Sequence, residues 1–171
     1  MLASDLTVRL AQHDDLPLLH PVIERAYRGD AARGGWTHEA DLLEGQRTDL
    51  ATLEAILDDS AARLLVGEAE DRIIGCVQVT DRGNGLAYLG LLCVDPTLQA
   101  GGIGKLMLDE AEALAAATLG ATRIEMTVID SRAELIAYYE RRGYRRTGEV
   151  RDFPIALDPP LFMTVLEKRL G

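Results

Sequence analysis

The chain has 171 residues, 47% apolar and 27% charged, with no Pro-rich, Ser-rich or Gly-rich tract long enough for a linker, which predicts one folded domain over residues 1–171. Its formal net charge of −10 argues against nucleic-acid binding, because a phosphate backbone must be met by clustered Lys and Arg, so no nucleic-acid partner is expected. No apolar run reaches the roughly 18 to 20 residues of a membrane span and no basic segment leads into an apolar one at the start, so the chain is expected to be cytoplasmic with no membrane partner.

The acidity is uneven. Residues 1 to 90 carry 16 Asp plus Glu against 8 Lys plus Arg, and residues 91 to 171 carry 12 against 10. This excess either attracts a cationic partner or keeps the protein soluble. Cys76 and Cys93 both lie inside apolar strand-like runs, where thiols behave as small hydrophobes, so neither a disulfide framework nor a metal site is expected.

In chain order, Leu6–Leu10 alternates as a strand does, and Asp14 or Asp15 can cap a helix that carries Pro17 in its first turn. Pro21 must lie in that first turn or kink the helix, and Gly29, Gly34 and Gly35 are expected to break it. Thr37 to Asp59 reads as two short helices interrupted near Gly45. Strands near Arg63–Glu68 and Ile73–Thr80 flank a Glu70-Asp71 turn, as in a hairpin. Tyr88–Val94 is continuously apolar, as a central strand buried on both faces would be, and Asp95-Pro96 ends it.

An amphipathic helix follows, with Ile103, Met107, Ala111 and Leu114 on one face, Lys105, Asp109 and Glu112 pointing away, and Gly120 as its stop. Arg123–Val128 alternates strictly, which completes a strand, helix, strand unit with a parallel pair. Ser131 and Glu134 have the spacing of a capping box that opens a helix ended by Gly143. Two last strands are expected near Tyr144–Glu149 and Leu161–Glu167.

Chemistry points to the Gly-rich turn between the buried strand and the amphipathic helix. Glycine lets a ligand approach the backbone, and the first N–H groups of a helix have no partner within it, so such a turn suits phosphate. A P-loop is excluded because Gln99 stands where its first Gly belongs and Leu106 follows Gly104-Lys105. The dinucleotide fingerprint is excluded because Met107 occupies the place of its third small residue.

What remains, Gln99-x-x-Gly102-x-Gly104 after a strand ending Val94-Asp95-Pro96, resembles the acetyl-CoA signature of the GNAT superfamily of N-acetyltransferases. A second match lies further on, where Ala137-Tyr138-Tyr139-Glu140-Arg141-Arg142-Gly143-Tyr144 looks like that superfamily's aromatic helix end. The resemblance implies an α/β fold: a mixed, mostly antiparallel sheet of six to seven strands, splayed at one parallel pair and flanked by about four helices.

It also implies acetyl-CoA as cosubstrate without a metal. The pyrophosphate would lie on Gln99, Ala100, Gly101, Gly102, Ile103, Gly104 and Lys105, and the thioester and pantetheine would lie against backbone groups of Leu92, Cys93 and Val94. The Val94 N–H would polarise the acetyl carbonyl, and the Tyr139 hydroxyl would protonate the leaving thiolate. Tyr138 next to it reads as the core residue of that helix turn, although either ring can fill that place. Arg132 stands where many relatives carry Asn, so the usual amide contact is in doubt and a phosphate contact is the alternative. Cys93 as an acyl-accepting nucleophile lacks a His in a recognisable arrangement, and an inert strand cysteine is the better reading.

The acceptor is expected to be a primary amine, cationic if the acidic half attracts it. Its pocket would draw on Trp36, His38, Glu39, Arg47 and Tyr88. His38 or Glu39 can take the amine proton, Trp36 can instead cap the core, and Arg47 would suit an anionic acceptor. An inactive coenzyme-binding sensor, or a relative using another acyl donor or an oxygen acceptor, is the competing class. A homodimer is open.

Overall fold

Among the described residues seven strands build one sheet: β1 Thr7–Leu10, β2 Ala62–Ala69, β3 Arg72–Gly83, β4 Leu86–Val94, β5 Arg123–Ile129, β6 Arg145–Asp152 and β7 Phe162–Arg169. Their order is β1-β2-β3-β4-β5-β7-β6, and every neighbouring pair is antiparallel except β4 with β5. Four helices accompany them among the described residues: α1 Leu16–Arg33, α2 Leu50–Asp58, α3 Ile103–Thr118 and α4 Ala133–Glu140. The computed structural model describes residues 5–33 (side chains to 27), 48–98, 101–154, 156 and 158–171. The mixed sheet, the one parallel pair and the four helices are those the sequence resemblance implies.

Each face of the sheet carries its own core. Leu16, Leu19, Ile23 and Ala26 recur at helical spacing along α1 and pack with Leu53 of α2 on Leu64, Val66, Cys76 and Cys93. On the other face Ile103, Met107, Ala111 and Ala115 of α3, with Ile136 and Tyr139 of α4, cover Val77, Val79, Ala87, Leu89, Ile124, Met126 and Val128. Burying one Leu or Ile in such a layer contributes roughly 1.5–3 kcal/mol, enough for packing to override weak local signals.

Several local expectations need correction for that reason. Gly29 does not break α1, which runs on to Arg33, and Pro21 sits inside it. The stripe from Leu16 to Ala26 outweighs the roughly 1 kcal/mol that a helical glycine costs. Asp14 and Asp15 belong to a short 3-10 turn capped by Gln12, and Asp15 accepts the Gln12 N–H at 2.7 Å and both Arg9 amino groups at 2.8 and 2.9 Å. These hydrogen bonds from Arg9 hold the Asp15 carboxyl below its ordinary range, despite the opposing effect of burial. Glu112 does not point into solvent: it accepts the Tyr144 hydroxyl at 3.0 Å and Lys168 at 2.8 Å, tying α3 to β7.

The Glu70-Asp71 hairpin turn is as expected, with both residues at positive φ, 53° and 60°. That pairing is the backbone of a type I′ turn, for which Asn-Gly is the preferred dipeptide. Asp71→Gly is therefore expected to stabilise the fold by about 0.5 kcal/mol and raise Tm by roughly 1–2 °C in a thermal melt. No described helix is long and apolar enough to cross a membrane.

Candidate active site

The site grows from an irregularity in β4. Cys76 of β3 pairs with Cys93 and Gln78 pairs with Gly90, so Val77 faces two residues, Leu91 and Leu92, where a regular ladder would offer one. This β-bulge holds Leu91 at a φ of 55°, uncommon for a residue with a branched side chain, and Cys76 Sγ donates to the Leu91 carbonyl at 3.3 Å. The bulge shifts the phase of the strand: Leu91 packs toward α1 and α2, and Leu92 packs toward α3.

Beside the bulge the sheet parts. β4 pairs with β5 only where Leu86, Ala87 and Tyr88 face Arg123, Ile124 and Glu125. Both strands continue, β5 still paired with β7 out to Ile129, so a gap opens between Leu89–Val94 and Met126–Ile129. The Asp95 N–H donates to the Ile74 carbonyl at 2.7 Å, which makes the adjacent Gly75–Val94 pair the non-bonded kind. The Val94 backbone groups are therefore turned from β3 toward the gap. A Cβ on Gly75 would lie 2.4 Å from the Cys93 carbonyl oxygen, so only glycine lets the two strands run this close here.

A short 3-10 turn, Pro96–Leu98, leads from β4 to α3. Asp95, buried, accepts the Thr97 N–H at 3.1 Å and the Thr97 hydroxyl at 2.9 Å, and it holds Arg25 of α1 at 3.1 Å. Burial alone would raise the Asp95 carboxyl, but these hydrogen bonds together hold it below its ordinary range. Gln99 and Ala100 lie outside the described residues. Gly101 and Gly102 follow at φ 102° and 79°, and Gly102 is the N-cap of α3, where it has no side chain to accept from the first turn. The N–H groups that open α3 thus carry no side-chain cap, the arrangement a phosphate needs.

Gly104 faces the gap. A Cβ built on it would lie 3.5 Å from the Tyr138 hydroxyl and 3.9 Å from Val94 Cγ2, so the structure brings Val94, Gly104 and Tyr138 together. Lys105, exposed, reaches Asp109 at 3.0 Å, a surface pair weak enough to be exchanged for another anion. Tyr139 is 8% exposed, its ring edge-on to Tyr138 at 5.3 Å and to Tyr144 at 5.9 Å. Arg142 lies over the Tyr138 ring at 3.4 Å and donates to the Tyr138 carbonyl at 2.9 Å.

The capping box is corrected here: α4 starts at Ala133, its N-cap is Arg132 rather than Ser131, and Glu134 accepts the Arg132 Nε at 2.8 Å instead of reaching back to a cap N–H. The Arg132 Nε is engaged in that contact, and the side chain is 13% exposed.

On the α1 and α2 face, below the gap, Tyr88 and Thr127 share a hydrogen bond of 2.7 Å across β4 and β5, and Arg82 stacks 4.9 Å from the Tyr88 ring. Beside them Glu125 is buried, with Arg151 of β6 at 2.7 Å as its ion partner. Trp36, His38, Glu39 and Arg47 lie outside the described residues. Glu125, Thr127, Arg25 and Asp95 were not among the sequence candidates. The signal for the first two was present, since they are the polar half of the alternation in Arg123–Val128.

Comparison with known proteins agrees with this fold. Residues 25–144 match the model of the acetyltransferase (GNAT) family. The spermidine N-acetyltransferase of Vibrio cholerae, solved with CoA and spermine, superposes with a TM-score of 0.74 at 18% identity, over 97% of this chain and 96% of that one. The ribosomal-protein-S18-alanine N-acetyltransferase of Escherichia coli gives 0.74 at 16% identity, over 97% and 94%. The ribosomal-protein-alanine N-acetyltransferase of Brucella melitensis gives 0.73 at 18%, over 96% and 99%. With a bulged and splayed β4, a left-handed glycine cap on α3 and a family match across most of its length, the chain belongs to the GNAT family of acetyl-CoA-dependent N-acetyltransferases.

Proposed function

We propose that this protein carries the acetyl group of acetyl-CoA to a primary amine by direct attack in a ternary complex, with the coenzyme in the gap between β4 and β5 and the amine on the α1 and α2 face. The observation that carries the reading is the end of β4–β5 pairing beside an uncapped, glycine-lined helix start. The residues fit the coenzyme: Gly101 and Gly102 turn the chain at positive φ, Gly104 leaves the space beside Tyr138 and Val94 clear of a side chain, and backbone donors open the positive end of α3.

Acetyl-CoA supplies a thioester whose carbonyl carbon is open to attack by a neutral amine. Gln99 to Lys105 bind its phosphates through backbone N–H groups. Leu92 and Cys93 run beside the pantetheine amides, and the Val94 N–H faces the carbonyl oxygen as a single oxyanion donor. Tyr139 Oη delivers a proton to the departing sulfur. A coenzyme contact by Arg132 would form beside its Nε bond to Glu134 or in exchange for it.

Tyr88 and Thr127 form one wall of the acceptor pocket, and Trp36, His38, Glu39 and Arg47 remain candidates for acceptor contact, with Glu39 or His38 taking the amine proton. The acidic first half of the chain supports a cationic acceptor, and relatives of this fold are named for spermidine and for ribosomal-protein alanine. Incubation with acetyl-CoA and a panel of primary amines should give products acetylated on nitrogen in a mass spectrum. Ester or thioester products alone would overturn the assignment.

A further inference from the structure

Cys76 and Cys93 face each other across β3 and β4 as direct register partners, with their sulfurs 3.6 Å apart and both side chains in the core. They flank the bulge: Cys76 Sγ donates to the Leu91 carbonyl at 3.3 Å, and Cys93 precedes Val94. Directly opposed residues of a hydrogen-bonded antiparallel pair have Cα atoms about 5.5 Å apart, inside the range of about 4.4–6.8 Å that a disulfide spans.

We propose that Cys76 and Cys93 form a modification site, which a peroxide-class oxidant converts to a disulfide across β3 and β4, and that this cross-link distorts the Leu91–Leu92 bulge and weakens coenzyme binding. Its effect on binding rests on the coenzyme reading above; the cross-link itself does not. Both cysteines are buried, Cys93 at 7% exposure as a residue and Cys76 at 0%, so the less buried Cys93 is assigned the first attack. Cys93 sulfur attacks one peroxide oxygen, the O–O bond breaks, and a sulfenic acid and one water result. Cys76 sulfur then attacks the Cys93 sulfur, the S–O bond breaks, the S–S bond forms and a second water leaves. Two thiols have given up two electrons and two hydrogens, and the peroxide has become two waters.

A disulfide of about 2.05 Å brings the sulfurs roughly 1.5 Å nearer than they stand. Oxidation also removes the S–H that holds the Leu91 carbonyl. Both changes act on Leu91 and Cys93, the bulge residue and the residue that leads directly into Val94. A cross-link that must draw the two strands together is strained, and strained disulfides are the readily reduced ones, so a thiol reverses the modification.

The test treats the reduced protein with hydrogen peroxide and reads three quantities: linked peptides by mass spectrometry, hydrogen exchange of the Leu92–Val94 amides, and acetyl-CoA affinity by calorimetry. The expected result is a Cys76–Cys93 peptide pair lighter by two hydrogens, faster exchange at those amides, a Kd raised at least tenfold, and recovery of all three with dithiothreitol. Cys76→Ser, which keeps a hydroxyl donor for Leu91, should show the same affinity and exchange before and after peroxide. Intact thiols, oxidation of Cys93 without a link, or a link that leaves exchange unchanged would overturn the proposal. Reduced protein that binds no acetyl-CoA would instead sink the coenzyme reading, and the peptide and exchange results would still decide this one.

Discussion

Tyr139→Phe is expected to lower the turnover rate by about a hundredfold or more while coenzyme affinity hardly changes. The lost hydroxyl is the proton donor to the departing thiolate, and general-acid contributions are commonly about 10²–10⁴-fold. Affinity should hold because the contact matters only as charge develops on sulfur. The fold should survive, because the ring remains wedged between Tyr138 and Tyr144.

Tyr138→Phe is the matching control. Residues one apart on a helix point about 100° from each other, so the two hydroxyls cannot serve the same atom. The Tyr138 hydroxyl stands 3.5 Å from the Cβ position of Gly104, at the start of α3, so its removal should weaken coenzyme binding a few-fold and spare turnover at saturation. Steady-state kinetics on both variants decide the matter. Turnover near wild type in Tyr139→Phe with collapse in Tyr138→Phe would assign the proton to the other ring.

Gly104→Val is expected to cut acetyl-CoA affinity at least a hundredfold in a protein that still folds. A Cβ at Gly104 meets Tyr138 and Val94 at ordinary contact distances of 3.5 and 3.9 Å, so Ala fits. Valine adds two methyl groups in the space a phosphate or pantetheine must enter, while a helix interior accepts Val better than Gly. Gly102→Val should abolish binding too but is a less clean test. Gly102 has a φ of 79°, where a β-branched residue adds strain of about 1–2 kcal/mol. Thermal melts beside the titrations separate the two effects, and unchanged affinity in folded Gly104→Val would move the site elsewhere.

What the sequence reveals and what it hides divide along a physical line. The α3 stripe, the β2–β3 hairpin and the Gln99 to Gly104 turn are local patterns, written in consecutive residues, and each is where it was expected apart from Gln99 and Ala100, which lie outside the described residues. The bulge at Leu91–Leu92 and the parting of β4 from β5 are not local. Both depend on register against neighbouring strands, and Tyr88–Val94 reads simply as a buried strand until Val77 is seen facing two residues.

Charged residues mislead in the same way. Glu112 looks solvated on a helical wheel, yet Tyr144 and Lys168, distant in sequence, pull it under β7. Glu134 has the spacing to serve a capping box, but the neighbouring Arg132 offers a stronger, charged donor and takes it. Asp95 reads as a strand terminator and proves to link the loop after β4 to α1 through Arg25.

Calorimetric titration of the reduced, unmodified protein with acetyl-CoA in the presence of EDTA tests the account most directly. The account predicts saturable binding at one site per chain, independent of metal and lost in Gly104→Val. Absence of binding at millimolar coenzyme, or binding that EDTA abolishes, would contradict it.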